Sequence, residues 1–166
     1  LWVNMVTDSF PALALTREPA HAGIMRERPR PRSEALVTPE HRWVIVLVST
    51  GLAAFSLTVF YLYLKFFNSL ELARTMAFTV LSVATLFYIF SLRSMKEALT
   101  SIPFFRNPLL VIAAGVGLIL QVAVVYAPPL QHMFGTVALL PLDWLLVIVI
   151  SIAFVALIEW IKIAFR

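Results

Sequence analysis

The chain has 166 residues, is 61% hydrophobic and 13% charged, and has a mean hydropathy of +0.91, far outside the range of a soluble domain of this size. Its apolar residues come in blocks long enough to cross a bilayer unaided, so it reads as an all-α, polytopic transmembrane helix bundle. The net charge is +4, and the absence of cysteine excludes disulfides, thiolate metal sites and thiol redox chemistry.

In chain order the apolar segments are one truncated span, 1–15, and four full ones, 43–67, 75–92, 109–127 and 144–161. Each of the four reaches roughly 27 to 37 Å at helical rise, against a hydrocarbon core about 30 Å thick. The first is too short to cross. It begins with Leu1 and carries no basic flank, so it does not read as a signal peptide. The expectation is a C-terminal piece of something larger, organised as a partial helix (1–15), a basic, proline-rich connection (16–42) and a four-helix bundle (43–166).

The partial helix, LWVNMVTDSFPALAL, holds the chain's most expensive residue. A carboxylate at the middle of a bilayer costs about 2.5 to 3.5 kcal/mol on insertion scales, so Asp8 needs compensation. Asn4, Thr7 and Asp8 are spaced i, i+3 and i+4, which on an α-helix places three oxygen-bearing side chains on one face. Such oxygens with one full negative charge suit a hard cation such as calcium, although one helix cannot complete a shell of six to eight oxygens. Pro11 removes an amide donor and clashes with the carbonyl of Thr7, so the helix is expected to loosen there, as in transporter ion sites built on broken helices. The alternative is that Asn4 and Thr7 bond a neighbouring helix while Asp8 pairs with a cationic side chain.

In the connection, Arg17, Arg26, Arg28, Arg30, Arg32 and Arg42 accompany Pro29 and Pro31. This reads either as a stretch facing anionic lipid or as a stiffened docking loop. Further along, Thr79, Ser82 and Thr85 share one face of the second full span and read as packing residues. The connection RSMKEALTSIPFFRNP must break near Pro103 and Pro108, and its Arg93, Lys96 and Arg106 read as topology determinants. Gly115 and Gly117 permit close helix approach, Gln121 reads as satisfied by a neighbour, and Glu159 pairs at i+3 with Lys162.

Orientation follows from the basic residues. Eleven Lys and Arg fall on one side of the alternating spans and two, Lys65 and Arg74, on the other. Positive-inside bias therefore puts the 16–42 and 93–108 connections and the C-terminus in the cytoplasm, with Trp43, Trp144, Trp160, Tyr61, Tyr63 and Tyr126 near span ends.

The pattern L-W-x-N-x-x-T-D-x-x-P-A-x-A-L, then E-P, then I-M-x-R-x-P-R, resembles the sixth membrane helix and following loop of P-type cation-transporting ATPases, particularly calcium pumps. The similarity continues through MAFTVLSVATLFYIFSL and SIPFFRNPLL into DWLLVIVISIAFVALIEWIKIAFR. It implies family membrane helices six to ten, with Asn4, Thr7 and Asp8 at cation-coordinating positions and calcium as the transported ion. Ser9 stands where a glycine often follows the aspartate. Thr85 stands where two-ion calcium pumps carry a glutamate, which implies one calcium site. No DKTGT-like motif is present, so ATP and Mg2+ would act only in upstream domains. The implied partners are the lipid bilayer, upstream membrane helices, the phosphorylation domain and the transported cation, with no nucleic acid, and the implied location is a bacterial plasma membrane. Two readings compete: a non-catalytic membrane scaffold or accessory subunit, and a P-type pump for manganese or sodium. A secondary-transporter half would require repeats, and the five segments show none.

Overall fold

A computed structural model describes residues 2–19, 39–94 and 99–164; the side chains of Asn4, Pro39, Glu40, Thr100 and Ala164 lie outside that description. Most of the basic connection and Lys96 therefore lie outside the described residues. All regular structure among the described residues is helical. A π-helix, Val3–Ser9, runs directly into α1 (Phe10–Leu15). The four long helices are α2 (Pro39–Phe67), α3 (Leu70–Ser91), α4 (Pro108–Tyr126) and α6 (Pro141–Ala164), each apolar enough to cross a membrane. A short α5 (Pro128–Phe134) lies between the last two.

These helices begin before the apolar runs do, because polar and proline residues start them. Ser69 accepts a hydrogen bond from the Leu72 amide at 3.3 Å and Asn107 accepts from the Leu110 amide at 3.1 Å, each satisfying an orphan donor of a first turn. Pro108, Pro128 and Pro141 each occupy a first helical position, where a missing N–H costs nothing. Asp143 reaches back to the Leu140 amide at 2.8 Å, in the manner of a capping box, and its other oxygen accepts from the Tyr63 hydroxyl at 2.6 Å. Asn68 (φ 52°) and Gly135 (φ 64°) take left-handed conformations that end α2 and α5.

The helix α3 is the hub. In its most apolar stretch 61% of residues are buried among the described residues, against 11% in α2. Val59 and Tyr63 of α2, Met76, Val80 and Val83 of α3, and Val147 of α6 form the main core cluster. A second cluster joins Ala14 of α1, Ile89 of α3 and Leu110 of α4. Lipid tails are as apolar as these side chains, so association depends on close packing and on interhelical hydrogen bonds. Gly117 supplies the closest approach, since a Cβ there would stand 2.8 Å from Leu86 Cδ2. At Gly115 an added Cβ would meet nothing within 4 Å among the described residues, so the close approach expected of both glycines is seen only at Gly117.

One further sequence reading gains detail and two are revised. Thr79 and Thr85 are buried but donate to their own helix, at the Thr75 and Ser82 carbonyls, so they pack without linking helices by hydrogen bonds. Gln121 is only half satisfied: its Oε1 accepts from Trp2 Nε1 at 3.3 Å, and its Nε2 has no partner among the described residues. Arg93 is a buried contact as well as a basic residue of its loop, with 1% of its side chain exposed. The Glu159–Lys162 pair forms at 2.8 Å, and Lys162 also donates to the Ser91 carbonyl at 2.9 Å.

Candidate cation site

The segment expected to loosen at the Thr7 carbonyl departs from α-helix there, in a different way from unwinding. Chain from Val3 to Ser9 adopts the wider π-helical turn, in which each amide reaches back five residues, and regular α-helix resumes at Phe10. Pro11 then lies two residues into α1, and because the π-helix runs straight into α1 its missing donor leaves the preceding turn without one backbone bond. The local cost of proline is met by widening the preceding turns instead of unwinding them. π-Helical insertions are rare and concentrate at functional sites.

Thr7, Pro11 and Ala14 form the packed face of this segment, and all three are buried. Thr7 is fully enclosed, and Asp8 stands beside it at the edge of that face. The Thr7 hydroxyl has one proton, which goes to the Val3 carbonyl at 2.6 Å. Its 3.5 Å approach to Asp8 Oδ1 is thus an oxygen–oxygen contact at the outer limit of hydrogen-bonding distance. With the proton committed, the Thr7 oxygen keeps lone pairs free beside the Asp8 carboxylate. Asp8 also lies within electrostatic reach of Tyr88 on α3. Asn4 belongs to the same π-helix, while its side chain is outside the described ones.

The structure brings Thr7 and Asp8 together and places Thr85 elsewhere, buried in α3 with its proton on the Ser82 carbonyl. Among the described residues no group of three His, Cys, Asp or Glu is arranged to hold a metal ion, so any cation here would depend on neutral oxygens as well as on Asp8. The outer end of the segment is fixed by the Trp2–Gln121 hydrogen bond and by an edge-to-face contact of Trp2 with Phe134, ring centroids 5.1 Å apart. Sequence reasoning missed both contacts, which join residues more than a hundred positions apart.

The family model for the C-terminus of cation-transporting ATPases matches residues 1–164. The chain belongs to this family. It is 35% identical over 182 aligned positions to calcium-transporting ATPase 1 of Bacillus cereus, covering 99% of this chain and 20% of that protein. It is 35% identical to the calcium-transporting ATPase of Bacillus subtilis, covering 91% of this chain and 17% of that protein. It is also 33% identical to calcium-transporting ATPase type 2C member 2 of Mus musculus, covering 88% and 16% respectively. The chain thus spans a fifth or less of the length of these relatives. As a cation-transporting ATPase C-terminal region it is a multi-pass membrane structure, and its four long helices account for most of the region the family model covers.

Proposed function

We propose that this chain forms the C-terminal membrane part of an ATP-driven P-type pump that exports calcium from the cytosol, in a bacterial plasma membrane. It contributes Asn4, Thr7 and Asp8 to the ion cage. The observation that carries this reading is the Thr7–Asp8 pair on a π-helical turn. Two oxygens 3.5 Å apart subtend roughly 90° at an ion held about 2.4 Å from each, a normal angle between neighbouring ligands of calcium. The hydroxyl is oriented with its proton away from that point. Calcium as the ion is supported by the names of the relatives above.

The remaining oxygens come from upstream membrane helices, and ATP with its Mg2+ acts in cytoplasmic domains outside this chain. Residues 16–42 serve as the loop that couples the membrane site to the phosphorylation domain. Because Thr85 offers no carboxylate, one calcium ion is carried per cycle. In the intact pump, Asp8→Asn is expected to raise the calcium concentration needed for phosphorylation by ATP more than about 100-fold, beyond the 10- to 100-fold typical of outer-shell changes. Unchanged calcium dependence in that variant would show that Asp8 is not a ligand.

A further inference from the structure

We propose that Glu18, Arg93 and Asn107 form a latch that holds the inner end of the π-helix–α1 segment against the α3–α4 connection, making Glu18 and Asn107 positioning residues for the cation site. This rests on the reading of Thr7 and Asp8 given above. Glu18 follows α1 by three residues and accepts from Arg93 Nη2 at 2.8 Å and Nε at 3.0 Å on one oxygen, and from Asn107 Nδ2 at 2.9 Å on the other. Asn107 is 2% exposed and makes three connections at once. Its amide nitrogen donates to Glu18 and to the Ala14 carbonyl at 3.0 Å, in the last turn of α1, while its carbonyl oxygen caps α4 at the Leu110 amide.

Arg93 completes the assembly from the end of α3. Its Nη1 donates to the Pro103 carbonyl at 3.1 Å and the Phe104 carbonyl at 3.4 Å, so one guanidinium fastens both Glu18 and the 3₁₀ turn Phe104–Arg106. Arg106 Nη2 adds a bond to the Pro19 carbonyl at 3.1 Å. Burial pushes the Glu18 carboxyl up, but the bonds from Arg93 and Asn107 and the charges of Arg93 and Arg106 outweigh it and hold the group below its ordinary value.

A surface ion pair would not need this many partners. Two guanidinium N–H groups converging on one part-buried carboxylate oxygen, with an amide on the other, fix direction as well as distance. The consequence reaches the cation site because Asp8 lies ten residues from Glu18, roughly 15 Å along a helix. Trp2 fixes the outer end and the latch fixes the inner end, so the π-helical turn between them has a set height and rotation against α3 and α4. Thr7 and Asp8 inherit that placement.

The test uses donor–acceptor matching in the intact pump, read as calcium-dependent phosphorylation by ATP. Glu18→Gln sets an amide against the Asn107 amide, and Asn107→Asp sets a carboxylate against Glu18 while keeping the cap on α4. Each variant is expected to raise the half-maximal calcium concentration roughly tenfold, within the usual range of site coupling, with the maximal phosphorylation level retained. The double variant restores a donor facing an acceptor between positions 18 and 107 but not the bond to the Ala14 carbonyl, so it is expected to recover part of the shift relative to Asn107→Asp alone. The latch is overturned if the single variants keep the parental half-maximal concentration, if they lower only the maximal level, or if the double variant is no better than Asn107→Asp alone. Asp8→Asn in the same assay separates the two claims. A shift with Asp8→Asn but none with the latch variants overturns the latch alone, whereas no shift with Asp8→Asn overturns the site and the latch's role together.

Discussion

Asp8 and Glu18 are two carboxylates on one short segment, ten residues apart, and their surroundings are opposite. Glu18 is held on both oxygens: two arginine nitrogens donate to one and an asparagine amide to the other. Asp8 has one contact at hydrogen-bonding distance among the described side chains, to a hydroxyl whose proton is directed elsewhere, and otherwise lies within electrostatic reach of Tyr88. A carboxylate whose oxygens are all taken by fixed donors is structural, since no ion could enter without displacing them. One that is half-buried beside lone pairs is costly as it stands, and a bound cation would remove that cost.

The contrast can be broken most forcefully at Arg93. Arg93→Met removes one partner of a part-buried carboxylate, and losing hydrogen bonds to such a charged group costs about 1 to 3 kcal/mol. Thermal unfolding of the detergent-solubilised pump should show that loss, and an unchanged melting temperature would mean that the latch contributes nothing to stability. Acid provides a gentler break. The folded-state pKa of Glu18 is depressed below its ordinary value near 4.5, so its stabilisation is complete above that pH and is lost as pH falls through the folded value. The stability difference between the parent and Glu18→Gln should therefore narrow as the pH is lowered below 4.5, and a constant difference would contradict the assignment. The smallest effect belongs to Asp8→Asn. Without calcium it should leave stability unchanged or raise it, because it removes a half-buried charge that has no cationic partner among the described residues. A large loss would reveal a structural pairing like that of Glu18.

The long spans were readable because twenty or so apolar residues in a row have few alternatives in a membrane protein, and the four helices follow those runs. Their starts were less readable, because Ser69, Asn107, Pro108 and Pro141 lie outside the apolar runs and act through capping. Thr7 and Asp8 could be singled out because they fall three and four residues after Asn4, on one helical face, and Glu159–Lys162 because it has the same three-residue spacing. The π-helical turn could not, since Pro11 announces a disturbance without saying whether the chain unwinds or widens. The latch was illegible for a different reason. Its bonds join positions 75 and 89 residues apart, and no local pattern specifies which distant arginine a glutamate will meet. The one available signal was Asn107 before Pro108, which marks a helix start but does not reveal that the same amide clasps α1.

Equilibrium binding of radioactive calcium to the intact pump tests the central claim most directly. The account predicts close to one ion bound per parent molecule and loss of that binding in Asp8→Asn at the same calcium concentration. Parental binding retained in Asp8→Asn would contradict it.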